Sequence, residues 1–311
     1  MWDKVERLKR GALFLQKVFS LSNALNVERA AILAKADLAS GMVFEFPELQ
    51  GTIGKYYAAA QGEVAEVAKA IEEHWWPKGE KGVLPSTETG LLLSLADKLD
   101  NLVGYFAAGL KPTSSSDPYG LRRQVLGIAR ILLSKQLFLS LPQTLEFFQK
   151  GLPERLQSRL QINEVFLFLQ ARLRTIFYEE GFSKEEAEAI LSHGCMDVYD
   201  AHCRLVALRS FRLQHPLAFS ALLEVFKRAK GQLEGVVVKN IASHLLHEPS
   251  EKKLHQFLQE ISPKFTTCIQ KHSYEEAYLL MASFQPPLDL LFSEVKILAE
   301  DPAIRGNRLA L

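Results

Sequence analysis

Apolar residues in this chain recur at helical spacing, and alternation at period two never persists for more than a few residues. Between Trp2 and Val18 they fall at Val5, Leu8, Ala12, Leu15 and Val18, the pattern of one helix face. With β-branched residues thin as well, the patterning argues against a sheet-based fold and predicts an all-α protein. Asn26 is expected to cap a second helix over Val27 to Ala39, where Ala30, Ala31, Leu33, Ala34 and Leu38 supply small and large packing groups. Helix is expected to resume from Tyr56 to Ala60 and from Glu63 to Trp75, where Pro77 ends it. Pro77 to Pro85, with Gly79 and Gly82, reads as an exposed loop. Thr87 to Ala107 then reads as a strongly apolar helix, and the Pro- and Ser-rich stretch Lys111 to Asp117 breaks the pattern before a helix from about Pro118 to Leu133.

A domain boundary is expected between Leu139 and Pro153, giving segments 1–145 and 146–311, each long enough to bury its own core. The second segment is again helical: Arg155 to Glu180, Lys184 to Ser192, Asp197 to Arg212, Pro216 to Gly231, Ser250 to Ile261 and Ser273 to Ala282. Ser183 followed by Glu186 has the arrangement of a capping box. A break at Gln285 to Pro287 precedes Leu288 to Ala299, and Asp301 with Pro302 starts a last helix that is expected to be cut short at Leu311.

Lysine plus arginine number 37 against 36 acidic residues, a formal charge of +1, so net charge supplies no steering toward nucleic acid. An RNA partner would need a local basic patch. Cys195, Cys203 and Cys268 are odd in number and widely spaced, which fits buried thiols in a reducing cytosol better than a disulfide framework or a metal knuckle. No leader peptide or membrane-spanning apolar run is visible, so a soluble cytoplasmic protein is expected.

The most pointed local feature is ADKLD at Ala96 to Asp100, where helical spacing lets Asp97 and Asp100 share a face. Joined by Asp37 and His74 from other helices, these carboxylates would make a hard-metal site; structural hydrogen bonding is the commoner use of such residues. His193, His202, His244, His247, His255 and His272 form no HExxH or comparable ligand spacing. Phosphate loops, GxGxxG and a GxSxG elbow are missing, and GTIG at Gly51 to Gly54 suits a tight turn. The candidate RNA contacts are basic: Arg122, Arg123 and Arg130 after the Pro- and Ser-rich turn, then Arg204, Arg209, Lys227, Arg228 and Lys230. Tyr199, Phe211, Phe219 and Phe226 stand near them in sequence and could stack on unpaired bases.

The stretches AAILAKADLASGMVFEFPELQGTIGKYYAAAQGE (30–63), AIEEHWWP (70–77) and LPSTETGLLLSLADKLDNLVGYFAAGLKPTSSSDPYGLRRQVLGIARIL (84–132) closely resemble the beta subunit of bacterial heterotetrameric glycyl-tRNA synthetases. Lys227 with Arg228 and the terminal IRGNRLAL with its preceding Asp301 are similar to that family too, so the resemblance covers nearly the whole chain. It implies an HD-type helical domain at 1–145 and an anticodon-binding helical domain, of the kind shared with arginyl-tRNA synthetases, at 146–311. It further implies support of the glycine–tRNA ligase reaction, in which ATP, glycine and tRNA yield glycyl-tRNA, AMP and diphosphate. The tRNA would be held here, while adenylation, with its ATP and Mg2+, belongs to an alpha-type catalytic part. No cofactor and no catalytic residue is expected in this chain itself. The implied partners are glycine tRNA, the alpha part and the remaining beta-type domains.

Three departures from the family pattern matter. The His-Asp pair of an HD site corresponds here to Ala36 and Asp37, so its histidine is gone and Asp37 with Asp97 are expected as remnants. The second-half pattern D...R..A is met by Asp200, Arg204 and Ala207, but Gly231 replaces an asparagine after the Lys-Arg pair. The family pattern places a further helix after the terminal motif, and the packing around Leu311 is expected to be incomplete without it. A metal-dependent HD-type nucleotide or phosphate hydrolase and a structural scaffold docking other subunits stand as the alternatives.

Overall fold

The computed structural model describes residues 1–79, 81–113, 116–192, 194, 197–233 and 240–311. The described elements are all helical: α1 (Trp2–Phe19), α2 (Ala24–Leu33), α3 (Gly41–Glu45), α4 (Thr52–Ala60), α5 (Ala65–Glu73), α6 (Glu88–Ala107), α7 (Leu121–Lys135), α8 (Leu141–Lys150), α9 (Glu154–Gln157), α10 (Ile162–Glu179), α11 (Lys184–Leu191), α12 (Val198–Gln214), α13 (Pro216–Leu233), α14 (Pro249–Gln270), α15 (Tyr274–Ala282), α16 (Gln285–Glu294) and α17 (Pro302–Ala310). The all-α class follows, with no strand among the described residues. Nor is any described helix long and apolar enough to cross a membrane.

The chain divides into two compact units, Met1–His202 and Cys203–Leu311. The division expected at 145/146 lies inside the first of these, because α8 packs on α1 and α6 while α10 packs on α6, α7 and α8. The α1–α8 approach is close: a Cβ at Gly11 would fall 2.6 Å from the Phe148 ring, and Phe14 stacks on Phe147 at 4.1 Å.

Helix α6 is the core of the first unit. Sixteen of its residues are buried, so it has almost no wet face, and it packs against α1, α2, α5, α7 and α8. Thr87 caps it, its side chain accepting from Gly90 N–H at 3.0 Å. The fully buried Glu73 carboxylate then holds the approach to that cap. It accepts from the N–H and hydroxyl of Ser86 (3.1 and 2.6 Å) and of Thr87 (2.9 and 2.6 Å). Position 90 must be glycine for this to fit, since a Cβ there would lie 2.4 Å from Glu73 Oε2.

Several boundaries differ from the sequence expectation, each for a local reason. Helix α2 starts earlier, capped by Asn23, whose side chain accepts from Leu25 N–H at 2.8 Å; Asn26 lies inside the helix and donates to Glu66 instead. The run Arg155 to Glu180 splits into α9 and α10. Helix α14 continues past Pro263 to Gln270, so the proline is tolerated at the loss of one backbone donor. Helix α16 begins at Gln285, with its prolines in the first turn, where a missing N–H costs nothing. The capping box at Ser183 and Glu186 is formed, and Asp301 caps α17 by accepting from Ala303 and Ile304 N–H.

In the second unit Leu254, Leu291, Val295 and Ile297 form a buried cluster, with Leu258, Phe284, Leu288 and Phe292 packed against it. Polar contacts fasten α17. Fully buried Glu251 accepts from His247 N–H at 2.7 Å, Glu248 N–H at 2.8 Å and Arg308 Nε at 2.5 Å. Asn307 Oδ1 accepts from Ala242 N–H at 2.6 Å.

Candidate functional site

Chemistry-bearing side chains gather in two places, one in each unit. The first is a buried charge cluster built on α6. Asp97 and Asp100 share a face as their spacing predicts, and both meet the ammonium of Lys4 from α1, at 3.0 and 2.7 Å. Arg7, one turn further along α1, adds a 2.8 Å pair to Asp100. From the segment after α2, buried Lys35 reaches in between His74 Nε2 at 2.9 Å and Asp97 Oδ2 at 3.2 Å, its Nζ also lying 3.9 Å from the Trp75 ring centroid.

The electrostatics follow from burial and these partners. Burial pushes the Asp97 carboxyl up, but the ammonium groups of Lys35 and Lys4 outweigh it and hold the group well below its usual range. Burial, reinforced by Lys35, holds His74 well below the usual histidine range, so its ring is neutral. The 2.6 Å contact from Nδ1 to the Ile71 carbonyl places the proton on Nδ1 and leaves the Nε2 lone pair to accept from Lys35. Burial also lowers Lys98 to about 8, the nearby Asp97 acting against it. Lys98 Nζ donates to the Trp76 carbonyl and to Ser94 Oγ, each at 2.8 Å.

This set does not fit a divalent ion. The two groups best suited to ligate one, His74 Nε2 and Asp97, already face a lysine ammonium, and Asp97 faces a second. Among the described residues no three His, Cys, Asp or Glu side chains converge on a metal position. Asp37 does not join Asp97: its Oδ2 accepts from Gly51 N–H at 2.7 Å, and it borders a separate cavity of about 220 Å³ with Gly54, Tyr57 and Ile71. Ala36 is exposed, so it is the neighbouring Lys35 that enters the cluster. His193 and Cys195 lie outside the described residues; Cys268 is buried and Cys203 half-buried.

Beside the cluster opens a cavity of about 450 Å³, bordered by His74, Trp75, Asp97, Lys98, Tyr119 and Arg123. Of the three arginines expected after the Pro- and Ser-rich turn, Arg123 is exposed and borders this cavity, Arg122 donates to the Thr113 carbonyl, and Arg130 is committed to the Gly79 and Gly82 carbonyls at 3.2 and 3.0 Å. Tyr199 packs edge-on against Phe138 at 4.9 Å and stacks on His202.

The second place is α13. Lys227, Arg228 and Lys230 are exposed along it, and Phe226, 58% exposed, lies 5.8 Å from Lys230 Nζ. Arg228 pairs with Asp289 and stands over Phe292. Arg204 is half-buried, its guanidinium 4.8 Å from the Tyr274 ring and its carbonyl accepting from Tyr278 OH at 3.3 Å, and Arg209 is half-buried too. Of the cations expected to meet RNA, those of α13 are exposed, while Arg204 and Arg209 of α12 are half-buried.

Sequence reasoning missed Lys35, Lys4, Glu73, Glu251 and Arg308. The available signal was a single charge inside an otherwise apolar stretch, as with Lys35 in AAILAKAD. Such a charge, if buried, needs a partner.

Comparison with known proteins gives a consistent picture. The family model described as glycyl-tRNA synthetase beta subunit matches residues 1–192. The glycine–tRNA ligase beta subunit of Desulforamulus reducens is 38% identical over 315 residues, covering 99% of this chain and 45% of that protein. Those of Desulforudis audaxviator and Azotobacter vinelandii are each 37% identical, covering 100% and 99% of this chain and 46% and 45% of theirs. The chain thus spans about half the length of the relatives it matches.

Proposed function

This chain belongs to the glycyl-tRNA synthetase beta-subunit family, and from that premise we propose that it is a tRNA-binding accessory region of glycine–tRNA ligase. In this reading an alpha-type part, with ATP and Mg2+, forms glycyl adenylate and transfers glycine, and this chain holds the tRNA. The first 145 residues act as a degenerate HD-type domain, and residues 146–311, which take in the remainder of the first compact unit and all of the second, as an anticodon-binding bundle. The partners are glycine tRNA, the alpha part and the other beta-type domains, all in the cytoplasm.

The observation that carries the reading is the α13 face. Lys227 and Lys230 are exposed beside exposed Phe226, which provides phosphate contacts and a stacking surface in one place on a chain of nearly zero net charge. Hydrolysis by the first unit is disfavoured, because Lys35 sits between the groups that would have to hold an ion.

Titration of glycine tRNA against the chain and against the double variant Lys227→Glu, Lys230→Glu tests the reading, with a non-glycine tRNA as control. The charge reversal is expected to weaken binding by at least about tenfold, since each lost phosphate contact is worth on the order of 1 kcal/mol. Unchanged affinity at fixed salt would remove α13 from the interface.

A further inference from the structure

We propose that the cavity beside Lys98 binds a nucleoside monophosphate, and does so without a divalent metal. Its volume of about 450 Å³ suits a small molecule and is too small to admit a nucleic-acid helix. The site lies in the first unit, and the inference is independent of the tRNA reading, which rests on α13.

The charge around the cavity favours an anion. Lys78, Lys98 and Arg123 border it against Glu48 and Asp97, and Asp97 is already neutralised by Lys35 at 3.2 Å and Lys4 at 3.0 Å. Lys98 is the pivotal group. It is only 4% exposed, and the partners its ammonium meets are the Trp76 carbonyl and Ser94 Oγ, both neutral. An ammonium has three N–H bonds, so one remains for a ligand, and a buried cation with neutral partners is stabilised by an incoming anion. Burial lowers its proton affinity more than the nearby Asp97 restores it. At the open side exposed Arg123 offers a planar fork that can take two oxygens of one phosphate.

The rest of the wall suits the nucleoside. Tyr119 is 41% exposed and stacked on Tyr105 at 4.5 Å, which fixes its ring. Trp75 borders the same cavity, and its buried indole Nε1–H has no acceptor among the described residues. Gln124 adds an amide able to meet either a donor or an acceptor on a base edge. Metal is dispensable here because Lys35 already supplies the cation between His74 and Asp97.

The test is calorimetric titration of the full chain with AMP, GMP, CMP and UMP in EDTA, and with the matching nucleosides. At least one nucleotide is expected to bind with Kd below about 1 mM, and its nucleoside about tenfold more weakly. Arg123→Ala changes an exposed residue and is expected to weaken nucleotide binding by roughly tenfold. Lys98→Met, checked for native helicity by circular dichroism, is expected to do the same. The proposal is overturned if no nucleotide binds at several times that concentration, if binding appears only on adding Mg2+ or Mn2+, if nucleoside and nucleotide bind equally, or if Arg123→Ala leaves the affinity unchanged.

Discussion

Lys35 donates to Nε2 of His74 across 2.9 Å, and His74 returns the relationship by remaining uncharged. Protonating the ring would remove the acceptor and set two cations against each other inside the core. The contact therefore couples folding to pH. His74 ordinarily titrates at 6.5 and is held well below that in the fold, so its contribution to stability is present above 6.5 and is lost as pH falls toward the folded value. Urea midpoints at about pH 7.5 and about pH 5 are expected to differ more for the native chain than for His74→Gln, whose amide oxygen accepts the same bond without titrating. Equal pH dependence in both proteins would contradict the assignment.

Lys35→Met keeps the length of the side chain and removes the cation. His74 Nε2 then loses its donor and Asp97 Oδ2 its nearest charge, which should cost about 3 kcal/mol in chemical denaturation, as for other broken buried pairs. The His74 ring should also titrate at higher pH in the variant, because one cause of its depression is gone. Histidine chemical shifts across a pH series read this directly.

Glu73→Ala leaves the N–H groups and hydroxyls of Ser86 and Thr87 without their acceptor at the start of the central helix. A loss of about 3 kcal/mol is expected, since a buried donor left unsatisfied costs roughly 1 to 3 kcal/mol. Amide exchange at residues 86 and 87 should accelerate well beyond the global change.

Arg308→Ala removes the cation that meets Glu251 at 2.5 Å and leaves that carboxylate buried in the first turn of α14. The second unit should lose about 3 kcal/mol. Limited proteolysis would then be expected to cut first between 296 and 302, ahead of α17, and an unchanged digestion pattern would contradict this role.

Salt provides a separate view of α13. Affinity for tRNA is expected to fall linearly on a log–log plot against salt, and each of Lys227→Ala and Lys230→Ala should reduce the slope by about 1 if it meets a phosphate. A slope unaltered by both substitutions would place the RNA elsewhere.

Helix positions were legible in the sequence because each is set by nearest neighbours along the chain: apolar spacing, Ser183 with Glu186 as a capping box, Pro77 as a stop. The errors were also local, as where Asn23 outcompeted Asn26 for the cap and where the prolines of α16 entered a first turn that had been expected to be a break. The charge cluster was only half legible. Spacing alone put Asp97 and Asp100 on one face, but the identity of their partners depends on contacts from α1 and from the segment after α2, more than sixty positions away for Lys35. That long-range pairing is also why Asp37, two residues from Lys35, was expected beside Asp97 and is found bonded to Gly51 instead.

The near absence of a wet face on α6 has a consequence for how this protein can change over generations. Asp97, Lys98 and Asp100 sit on the same turns as Leu95, Leu99 and Leu102, all of them buried. Neither Asp97 nor Asp100 can be exchanged without stranding Lys4, Arg7 or Lys35, so Lys4, Lys35 and Asp97 form a block that must be replaced together or kept. Relatives that have lost Lys35 are therefore expected to have altered His74 or Asp97 in the same lineage, and a set of sequences in which the three vary independently would show that the block is not held together as described.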